Sequence, residues 1–268
     1  MKLSVLVDNN TFIDQYFVGE PAVSYYIEVD DKRIFFDTGY SDILLDNASK
    51  LNIDLNNLTH IILSHGHNDH TNGLKFLINN RDISKTRLIC HPECFLPKYV
   101  EDEYIGAPYT EKEISKIFIY QPVSEVTKIS ESLLFLGEIP RINNFEAMNP
   151  IGIEIKDNCK QDDYVLDDTA LVYKNFEGIF IITGCSHSGI CNIVEYAKKI
   201  CNEEHILGIV GGFHMLDNQL QINKTIDYLK KNKIDIIYPC HCVSLLAKAR
   251  MINELPVNEV GVGMTISV

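Results

Sequence analysis

The sequence predicts an α/β protein in which two β-sheets pack face to face and helices cover their outer faces. Short apolar runs separated by polar turns, which are typical of β-strands, occur in both halves of the chain. In each half, such runs are followed by segments whose apolar residues recur at helical spacing. The 268 residues are enough for one large core, and no stretch has the composition of a flexible linker. We therefore predict a single domain over residues 1–268.

The N-terminal part predicts an antiparallel meander followed by a helix and a further strand. A polar turn, Asp30-Asp31-Lys32, separates two of the apolar runs, as in a hairpin. Ser41 can cap the helix, whose apolar residues recur every three or four positions. The predicted strands are residues 3–7, 22–29, 33–36 and 61–63, and the helix carries Leu44, Leu45, Ala48 and Leu51 on one face.

The middle of the chain is less regular. Residues 73–78 predict a helix and residues 87–90 a strand. Residues 92–130 predict short helices and irregular loops, because four prolines and several aromatic residues interrupt them. Segments of this composition often build a substrate pocket or a lid, and ordinary surface packing is an equal alternative. We predict a pocket or lid insertion over residues 92–130.

The second half repeats the alternation of strands and helices. Residues 190–200 directly follow a strand and carry apolar residues on one helical face, and the next predicted helix has the same arrangement. This order again favours sheets with helices packed against them. The predicted strands are residues 151–155, 170–173, 179–183, 206–210, 234–238 and 260–268, and the predicted helices are residues 190–200, 220–230 and 244–252.

The charge of the chain argues against nucleic-acid and membrane partners. The 37 acidic residues outnumber the 24 basic ones, which gives a formal net charge of −13 at pH 7. A surface of this sign repels nucleic acid and anionic lipid. The apolar stretch over residues 3–7 is too short for a signal peptide, and no other stretch is long enough to span a membrane. We therefore predict a cytoplasmic protein.

The eight cysteines predict reduced and mostly buried thiols. They are sparse for a chain of this length and do not resemble a disulfide framework. The segments Cys90-His91 and Cys240-His241-Cys242 look like fragments of a zinc knuckle, but neither has the paired Cys-x-x-Cys spacing of a structural zinc site. We therefore expect no separate cysteine-rich zinc site.

The densest group of metal-binding residue types lies in the run Ser64-His65-Gly66-His67-Asn68-Asp69-His70, directly after an apolar strand. A single histidine is usually a surface residue or a hydrogen-bonded core residue. Three imidazoles and a carboxylate within six residues have no packing rationale, because each buried polar group needs a partner. The run therefore predicts a metal site, in which His65 and His67 share one ion while Asp69 and His70 face a second.

Three later strands also end in small residues followed by a histidine. Histidines at the same end of neighbouring strands converge at one edge of a sheet, where α/β proteins place their sites. Of these, we predict His187 and His241 as ligands. His214 follows two glycines and is open to three roles: ligand, proton donor, or a group that orients a ligand. Cys185 could bind a metal as a thiolate, although the imidazoles are favoured.

Two further residues could support the site. Asp37 follows a strand and precedes a glycine turn, where it could hydrogen-bond a ligating imidazole and fix its tautomer. An aspartate at that position is also an ordinary turn former. His91 follows the strand at residues 87–90 and could line the pocket. A structural role is favoured for the remaining candidates, which are His60, His205 and the loop carboxylates Asp167 and Asp168.

On these residues the chain resembles the metallo-β-lactamase-fold metal-dependent hydrolases, whose motif His-x-His-x-Asp-His appears at residues 65–70. The resemblance implies a four-layer αββα sandwich with a dinuclear metal site between the sheet edges. Residues 184–190 and 211–214 are similar to one subgroup, named for 7,8-dihydropterin-6-methyl-4-(β-D-ribofuranosyl)aminobenzene-5'-phosphate synthase. Where that subgroup has His-Cys-Thr-Gly, this chain has His241-Cys242-Val243-Ser244. A different substrate is therefore expected if Ser244 touches it.

The resemblance implies a hydrolase that uses a hydroxide bridging two divalent metal ions, with zinc expected and manganese or iron as alternatives. Asp69 could accept a proton from the water, and His214 could assist the leaving group. The expected ligands of one ion are His65, His67 and His187, and those of the other are Asp69, His70 and His241.

The expected partner is a small-molecule substrate, either an ester or a phosphorylated metabolite, and association between copies of the chain is left open. One alternative is a transferase like the synthase, in which diphosphate is displaced and a bond to an aminobenzene compound forms. The other is a sensor of a metal or ligand that has no catalytic activity. Neither nucleic acid nor a membrane is expected as a partner.

Overall fold

Two β-sheets lie face to face, and helices cover the outer face of each sheet. The computed structural model describes residues 1–80 and 82–268. Three apolar clusters separate the four layers, one between the sheets and one beneath each layer of helices. The predicted fold of two facing sheets with outer helices is therefore confirmed as an αββα sandwich.

The first sheet has seven strands, numbered here along the chain. They are β1 (Lys2–Val7), β2 (Ser24–Val29), β3 (Lys32–Phe36), β4 (His60–Ile62), β5 (Arg87–Cys90), β8 (Ile119–Pro122) and β17 (Thr265–Ser267), in the spatial order β17-β1-β2-β3-β4-β5-β8. Strands β1 to β3 pair antiparallel, as predicted, whereas β3, β4, β5 and β8 pair parallel. The parallel strands end at one edge, where Asp37 follows β3 and the His65 run follows β4.

The second sheet has six strands in the order β16-β15-β14-β13-β10-β9. Its strands β14, β15 and β16 are parallel. The strand predicted over residues 234–238 begins only at Ile237, after a bend at Asp235. The Asp235 carboxylate lies 2.8 Å from His205 Nε2. The strands are β9 (Thr127–Lys128), β10 (Leu133–Phe135), β13 (Ala170–Lys174), β14 (Ile179–Thr183), β15 (Ile206–Gly211) and β16 (Ile237–Pro239).

Residues 92–130 are more regular than the predicted short helices and loops. Besides the helix α4 (Glu111–Ile117), they contain β6 (Lys98–Val100), β7 (Glu103–Tyr104), β8 and β9. Strands β6 and β7 join β11 (Gly152–Lys156) and β12 (Cys159–Asp163) in a third sheet of order β12-β11-β6-β7. The sequence signal was weak because β6, β7 and β12 are short or largely exposed. The pocket or lid role of the segment stays a prediction.

Seven α-helices occur in the described ranges. The predicted cap of α1 (Ile43–Lys50) is one residue off: Asp42 occupies the N-cap position, although its side chain makes no capping hydrogen bond. The hydroxyl of Ser41 instead accepts a hydrogen bond from the Ile43 N–H at 3.3 Å. Besides α1 and α4, the helices are α2 (Asn68–Thr71), α3 (Leu74–Asn80), α5 (Ile190–Cys201), α6 (Gln219–Lys231) and α7 (Leu245–Ile252).

The apolar side chains of each strand point alternately to the two faces of the sheet, and this creates the separate apolar layers. In β3, Phe36 points between the sheets, whereas Phe35 packs beneath the helices of the first sheet. In β14, Ile182 faces the space between the sheets and Ile181 packs under α5. Successive side chains of a strand point to opposite faces, so an unbroken apolar strand supplies two cores at once.

The eight cysteines are all free thiols, and six of them are buried. This agrees with the prediction of reduced and mostly buried thiols.

No α-helix within residues 1–80 and 82–268 has the length and apolar composition needed to cross a membrane.

We predict that His60 limits the stability of the protein in acid. Burial and the charges of Lys32 and Arg87 lower the pKa of His60 from 6.5 to about 4. Its neutral ring therefore contributes stability that is fully present above pH 6.5 and is lost as the pH falls through 4. Between pH 6.5 and pH 4, the unfolding free energy of His60→Gln should fall by about 1 to 2 kcal/mol less than that of the wild type. The expected difference is this small because Lys32 and Arg87 are partly solvated.

Urea denaturation across this pH interval measures the effect. The control is His205→Gln, because the Glu177 carbonyl and the Asp235 carboxylate raise the pKa of His205, so its removal should not reduce acid sensitivity. Equal pH dependence in the wild type and in His60→Gln would contradict the prediction.

Candidate metal centre

The run from His65 to His70 leads from the end of β4 into α2, and its turn has no room for a side chain at Gly66. A Cβ atom there would lie 2.0 Å from the carbonyl oxygen of Cys94. The Gly66 N–H donates a hydrogen bond to Asp167 Oδ2 at 2.7 Å. Only glycine can occupy this position, because the opposing backbone atom cannot move aside. The loop carboxylate Asp167 thus anchors the turn that carries the histidines.

The first group of predicted ligands, His65, His67 and His187, comes together at the sheet edge. His65 Nε2 lies 3.0 Å from His67 Nδ1. The ring centroid of His187 lies 4.7 Å from that of His65 and 5.0 Å from that of His67. All three rings are buried. Three imidazoles from two separate segments therefore point into one small volume.

The second group of predicted ligands, Asp69, His70 and His241, lies beside the first. Asp69 Oδ2 lies 3.5 Å from His70 Nε2 and 3.2 Å from His241 Nε2. The ring centroids of His65 and His70 are 4.1 Å apart, so the two groups adjoin. The carboxylate of Asp69 is the one acidic group that faces both His70 and His241 within the described chain.

Asp37 orients the ring of His70, in the position that the sequence suggested for a supporting carboxylate. Its Oδ2 atom lies 2.7 Å from His70 Nδ1, and it also accepts a hydrogen bond from Ser64 Oγ at 2.7 Å. A carboxylate at Nδ1 keeps a proton there, so that Nε2 is the ring nitrogen turned towards a metal. Burial opposes protonation, but the Asp69 and Asp37 carboxylates outweigh it and raise the pKa of His70 well above its ordinary value.

Asn9 and Asp8, which the sequence analysis did not single out, hold His241. Asn9 Oδ1 lies 3.0 Å from His241 Nδ1, and Asp8 Oδ1 accepts a hydrogen bond from the His241 N–H at 2.8 Å. The contact at Nδ1 directs Nε2 towards Asp69. The only sequence signal was a polar pair directly after β1, which is also what an ordinary turn would contain.

A buried cluster of charges behind His67 was also missed. The ammonium group of Lys98 is fully buried and lies 3.1 Å from Asp167 Oδ1, 3.2 Å from Asp163 Oδ2 and 3.4 Å from Glu154 Oε2. Asp163 Oδ2 in turn lies 3.7 Å from His67 Nε2, too far for a direct hydrogen bond. Burial opposes ionisation of Asp163, but His67 and Lys98 outweigh it and lower its pKa to about 2. An ionised carboxylate therefore stands behind the first group.

His214 and two cysteines border both groups. The ring centroid of His214 lies 4.4 Å from that of His187. Cys185 Sγ lies 3.2 Å from His70 Nε2, and Cys242 Sγ accepts a hydrogen bond from the His214 N–H at 3.3 Å. The structure thus brings His214 and Cys185 to the predicted ligands. Cys242 joins them, although its sequence context suggested only a buried thiol.

Two of the predicted site residues, His91 and Ser244, cap helices outside the two groups. His91 Nδ1 accepts a hydrogen bond from the Glu93 N–H at 3.2 Å and caps the short 3-10 helix Pro92–Phe95. Ser244 Oγ caps α7 by accepting from the Ala247 N–H, and it donates to the Leu216 carbonyl at 2.7 Å. These hydrogen bonds account for both side chains, and neither residue belongs to the two groups. His60 and His205 also lie outside the groups, where the sequence analysis expected them.

The chemistry of the two groups fits metal binding. Buried ring nitrogens without a hydrogen-bond partner in the described chain accumulate here, which is costly unless something else binds them. Burial, together with the neighbouring imidazoles, lowers the pKa values of His65 and His187 well below the ordinary value, so both rings are in the neutral form that binds metals. The unpartnered nitrogens are His67 Nε2, His187 Nδ1 and Nε2, His214 Nδ1, and His241 Nε2, whose 3.2 Å contact with Asp69 Oδ2 lacks hydrogen-bond geometry.

The groups face a cleft of about 360 Å³ that meets two further cavities. A cavity of about 240 Å³ shares His187 and His214 with the cleft, and one of about 550 Å³ shares Asn9 and His241. Lys248, in the larger cavity, is the one lysine or arginine that lines the three within the described chain. Positive charge in the cleft must therefore come from bound ions or protonated histidines.

We predict that the Lys98 cluster stabilises the turn behind the first group. Lys98→Met would leave buried carboxylates without their cation, so we expect a loss of about 3 to 5 kcal/mol of unfolding free energy. The control is Lys156→Met, which removes a partly exposed pair with Glu93 and should change stability much less. Urea denaturation measures both variants, and similar small losses in the two would contradict the prediction.

Comparison with known proteins identifies the family. The sequence profile of the metallo-beta-lactamase superfamily matches residues 18–104. The chain is 37% identical over 265 residues to the protein MJ0448 of Methanocaldococcus jannaschii, with 97% of this chain and 98% of that protein aligned. It is 31% identical over 269 residues to the 7,8-dihydropterin-6-methyl-4-(beta-D-ribofuranosyl)-aminobenzene-5'-phosphate synthase of the same organism, with 95% and 91% aligned.

A solved structure agrees with these relatives. The crystal structure of Tm1679, a metal-dependent hydrolase of the beta-lactamase superfamily, superposes with a TM-score of 0.86 at 31% identity and covers 100% of this chain and 99% of that one. The predicted metallo-β-lactamase fold and the predicted subgroup resemblance are thus confirmed. The chain belongs to the metallo-beta-lactamase superfamily, in the subgroup that resembles the dihydropterin ribofuranosylaminobenzene phosphate synthase.

Proposed function

We propose that the chain is a dinuclear metal-dependent hydrolase that acts on a small ester or phosphorylated metabolite. The observation that carries the proposal is the convergence of unpartnered imidazole nitrogens and the Asp69 carboxylate on one cleft. Such donors suit divalent ions, with zinc, manganese and iron all compatible. When bound, two such ions lower the pKa of a water molecule between them and polarise a substrate oxygen.

We assign the ligands to the two ions as the sequence suggested. His65, His67 and His187 would hold one ion, because their nitrogens meet without any carboxylate between them. Asp69, His70 and His241 would hold the other, because the Asp69 carboxylate joins the two imidazoles. Asp37 and Asn9 would keep the last two rings turned so that Nε2 faces the ion.

Two residues are proposed to move protons. Asp69 lines the cleft, and its carboxylate could accept a proton from the attacking water. His214 lies next to His187, with a buried Nδ1 that has no partner within the described chain. Burial opposes protonation of His214, but Cys242 and nearby carboxylates outweigh it and raise its pKa, which suits the donor of a proton to a leaving group.

The cavities favour a substrate with a small anionic end and an uncharged body. The cleft and the cavity beside His214 have no lysine or arginine among their described lining residues, so a phosphate or carboxyl group would depend on the ions. The cavity beside His214 offers Phe145, Met148 and Tyr164 for apolar contact. Its amides include Gln221, which could accept or donate a hydrogen bond.

Metal-dependent turnover tests the proposal. Protein loaded with zinc, manganese or iron would be assayed on phosphomonoesters, phosphodiesters and carboxylic esters, with a chelator-treated sample as the control. Hydrolysis that requires the metal supports the proposal. No hydrolysis of any of the three classes at full metal content would contradict it. A ligand that then raises Tm without turnover would favour the sensor.

A transferase is the second candidate, favoured by the two separate cavities that meet the cleft. One cavity adjoins His214 and the other adjoins His241, so two substrates could approach the ions from different sides. A relative that is 31% identical is named as a synthase. Consumption of a dihydropterin diphosphate that depends on an aminobenzene partner would support this candidate, whereas consumption without the partner would favour hydrolysis. Cytoplasmic location and self-association stay predictions.

We predict that His67→Ala and Asp69→Ala each lose about one metal ion per chain and most activity, because each removes a donor from a different group. Elemental analysis after dialysis and the rate with the best substrate measure the two effects. His205→Ala is the matched control, since its ring lies at the surface outside the groups and should retain both metal and activity. Full metal content with normal rates in either site variant would refute the assignment.

A further inference from the structure

A cavity of about 320 Å³ opens between the two sheets at the edge opposite the candidate metal centre. Lys32, His60 and Arg87 begin the neighbouring strands β3, β4 and β5, whereas Asp37 and the His65 run follow the other ends of β3 and β4. The residue two positions further along each of the three strands belongs to the apolar cluster between the sheets. Because alternate side chains of a strand share a face, the three polar side chains also point into the space between the sheets.

The lining of this cavity is basic, in a chain whose net charge is −13. Lys128, from β9 of the second sheet, joins Lys32 and Arg87, and no aspartate or glutamate of the described chain lines the cavity. Lys32 Nζ lies 2.8 Å from Asp31 Oδ2, a carboxylate outside the lining whose side chain is 79% exposed. Arg87 Nη1 donates a hydrogen bond to Gln121 Oε1 at 2.8 Å, and its other N–H groups make none within the described chain. This basic cavity therefore has donors and positive charge to offer an anion.

His60 adds a hydrogen-bond acceptor to the basic cavity, although the residue is only 9% exposed. Thr59 Oγ1 donates its one proton to the Arg33 carbonyl at 2.9 Å and lies 2.8 Å from His60 Nδ1. The proton of the second contact is therefore on Nδ1, and Nε2 carries the lone pair of the neutral ring. This Nε2 atom makes no hydrogen bond within the described chain. A polar nitrogen in such a buried ring calls for a partner from outside the protein.

These two properties together fit a phosphate group accompanied by a hydroxyl. Lysine and arginine side chains bind the negative oxygens of phosphate by charge-assisted hydrogen bonds. A hydroxyl on the phosphorus, or on a carbon close to it, would donate to the lone pair of His60 Nε2. Gln121 and Thr127 line the same cavity and add polar groups. The volume of the basic cavity is at the lower end of the range for small-molecule sites, so the ligand must be small.

We propose that the basic cavity binds a small phosphate-containing anion, either inorganic phosphate or a phosphomonoester that bears a hydroxyl. Lys32, Arg87 and Lys128 neutralise its negative oxygens, and His60 accepts a hydrogen bond from its hydroxyl. The site is separate from the candidate metal centre, because the two lie at opposite ends of β3 and β4. It therefore does not depend on the proposed hydrolase.

Calorimetric titration with inorganic phosphate at constant ionic strength tests the proposal. Zinc-loaded protein is compared with chelator-treated protein, which shows the binding that does not depend on metal ions. Arg87→Gln should weaken this metal-independent binding at least about tenfold, because it removes a charge-assisted contact. Arg250→Gln is the matched control, since Arg250 also donates to a glutamine, Gln219 Oε1 at 2.9 Å, but lies outside the basic cavity. It should bind phosphate as tightly as the wild type.

The contact with His60 has its own test in the choice between phosphate and sulfate. Sulfate has no hydroxyl at neutral pH and would leave Nε2 without a donor, so the wild type should bind phosphate more tightly. His60→Phe keeps a planar ring but loses both nitrogens, and it should bind the two anions equally. Equal binding of both anions by the wild type would refute the role of His60. Glycerol 3-phosphate distinguishes the sources: tighter binding than inorganic phosphate identifies a phosphomonoester, and weaker binding identifies the free ion.

Two outcomes would overturn the inference as a whole: metal-independent binding of phosphate that is no tighter than that of chloride, or equal weakening in Arg87→Gln and Arg250→Gln. The basic residues would then only protect the edge strands β8 and β9 from pairing with other chains, as inward-pointing charges do in many sheets. If Arg87→Gln fails to fold, Lys128→Gln replaces it with the same expected direction, because the Lys128 side chain is exposed.

Discussion

The buried contact between Asp37 and His70 is the interaction on which the site depends. Asp37 follows β3, Ser64 follows β4 and His70 lies in α2, so one carboxylate joins three segments at the sheet edge. The Thr38 N–H adds a hydrogen bond to the His70 carbonyl at 2.7 Å. A buried carboxylate needs such partners, and satisfying it orients the imidazole at the same time. The same hydrogen bonds therefore stabilise this sheet edge and orient the His70 ring.

Charge explains how an acidic chain can build a cation site next to crowded imidazoles. Neutral rings at His65 and His187 avoid mutual repulsion, and the ionised carboxylate of Asp163 stands behind His67. Lys98 compensates the carboxylates on the side away from the cleft. The cleft therefore has little positive charge of its own before ions bind. A metal-dependent site is expected to have this property.

Much of the fold was predictable because its strands are apolar and its helices amphipathic. The strands at residues 87–90 and 179–183 were predicted to the residue, since each supplies two apolar layers by alternation. The short strands over residues 98–104 were not, because exposed strands of two or three residues have no clear alternation. The bend at Asp235 was not predicted either, and its carboxylate contacts His205, which lies thirty positions away.

The metal-binding residue types and their convergence at one edge could be inferred from the sequence alone. The spacing of residues 65–70 and the strand-end positions of His187, His214 and His241 are local patterns. The residues that orient and surround them became visible only in the folded chain. Asn9 reaches His241, Lys98 reaches Asp167, and the sulfur of Cys185 meets His70 from segments far apart in the chain. No local pattern marks such contacts, because they arise from the packing of one sheet edge against the other.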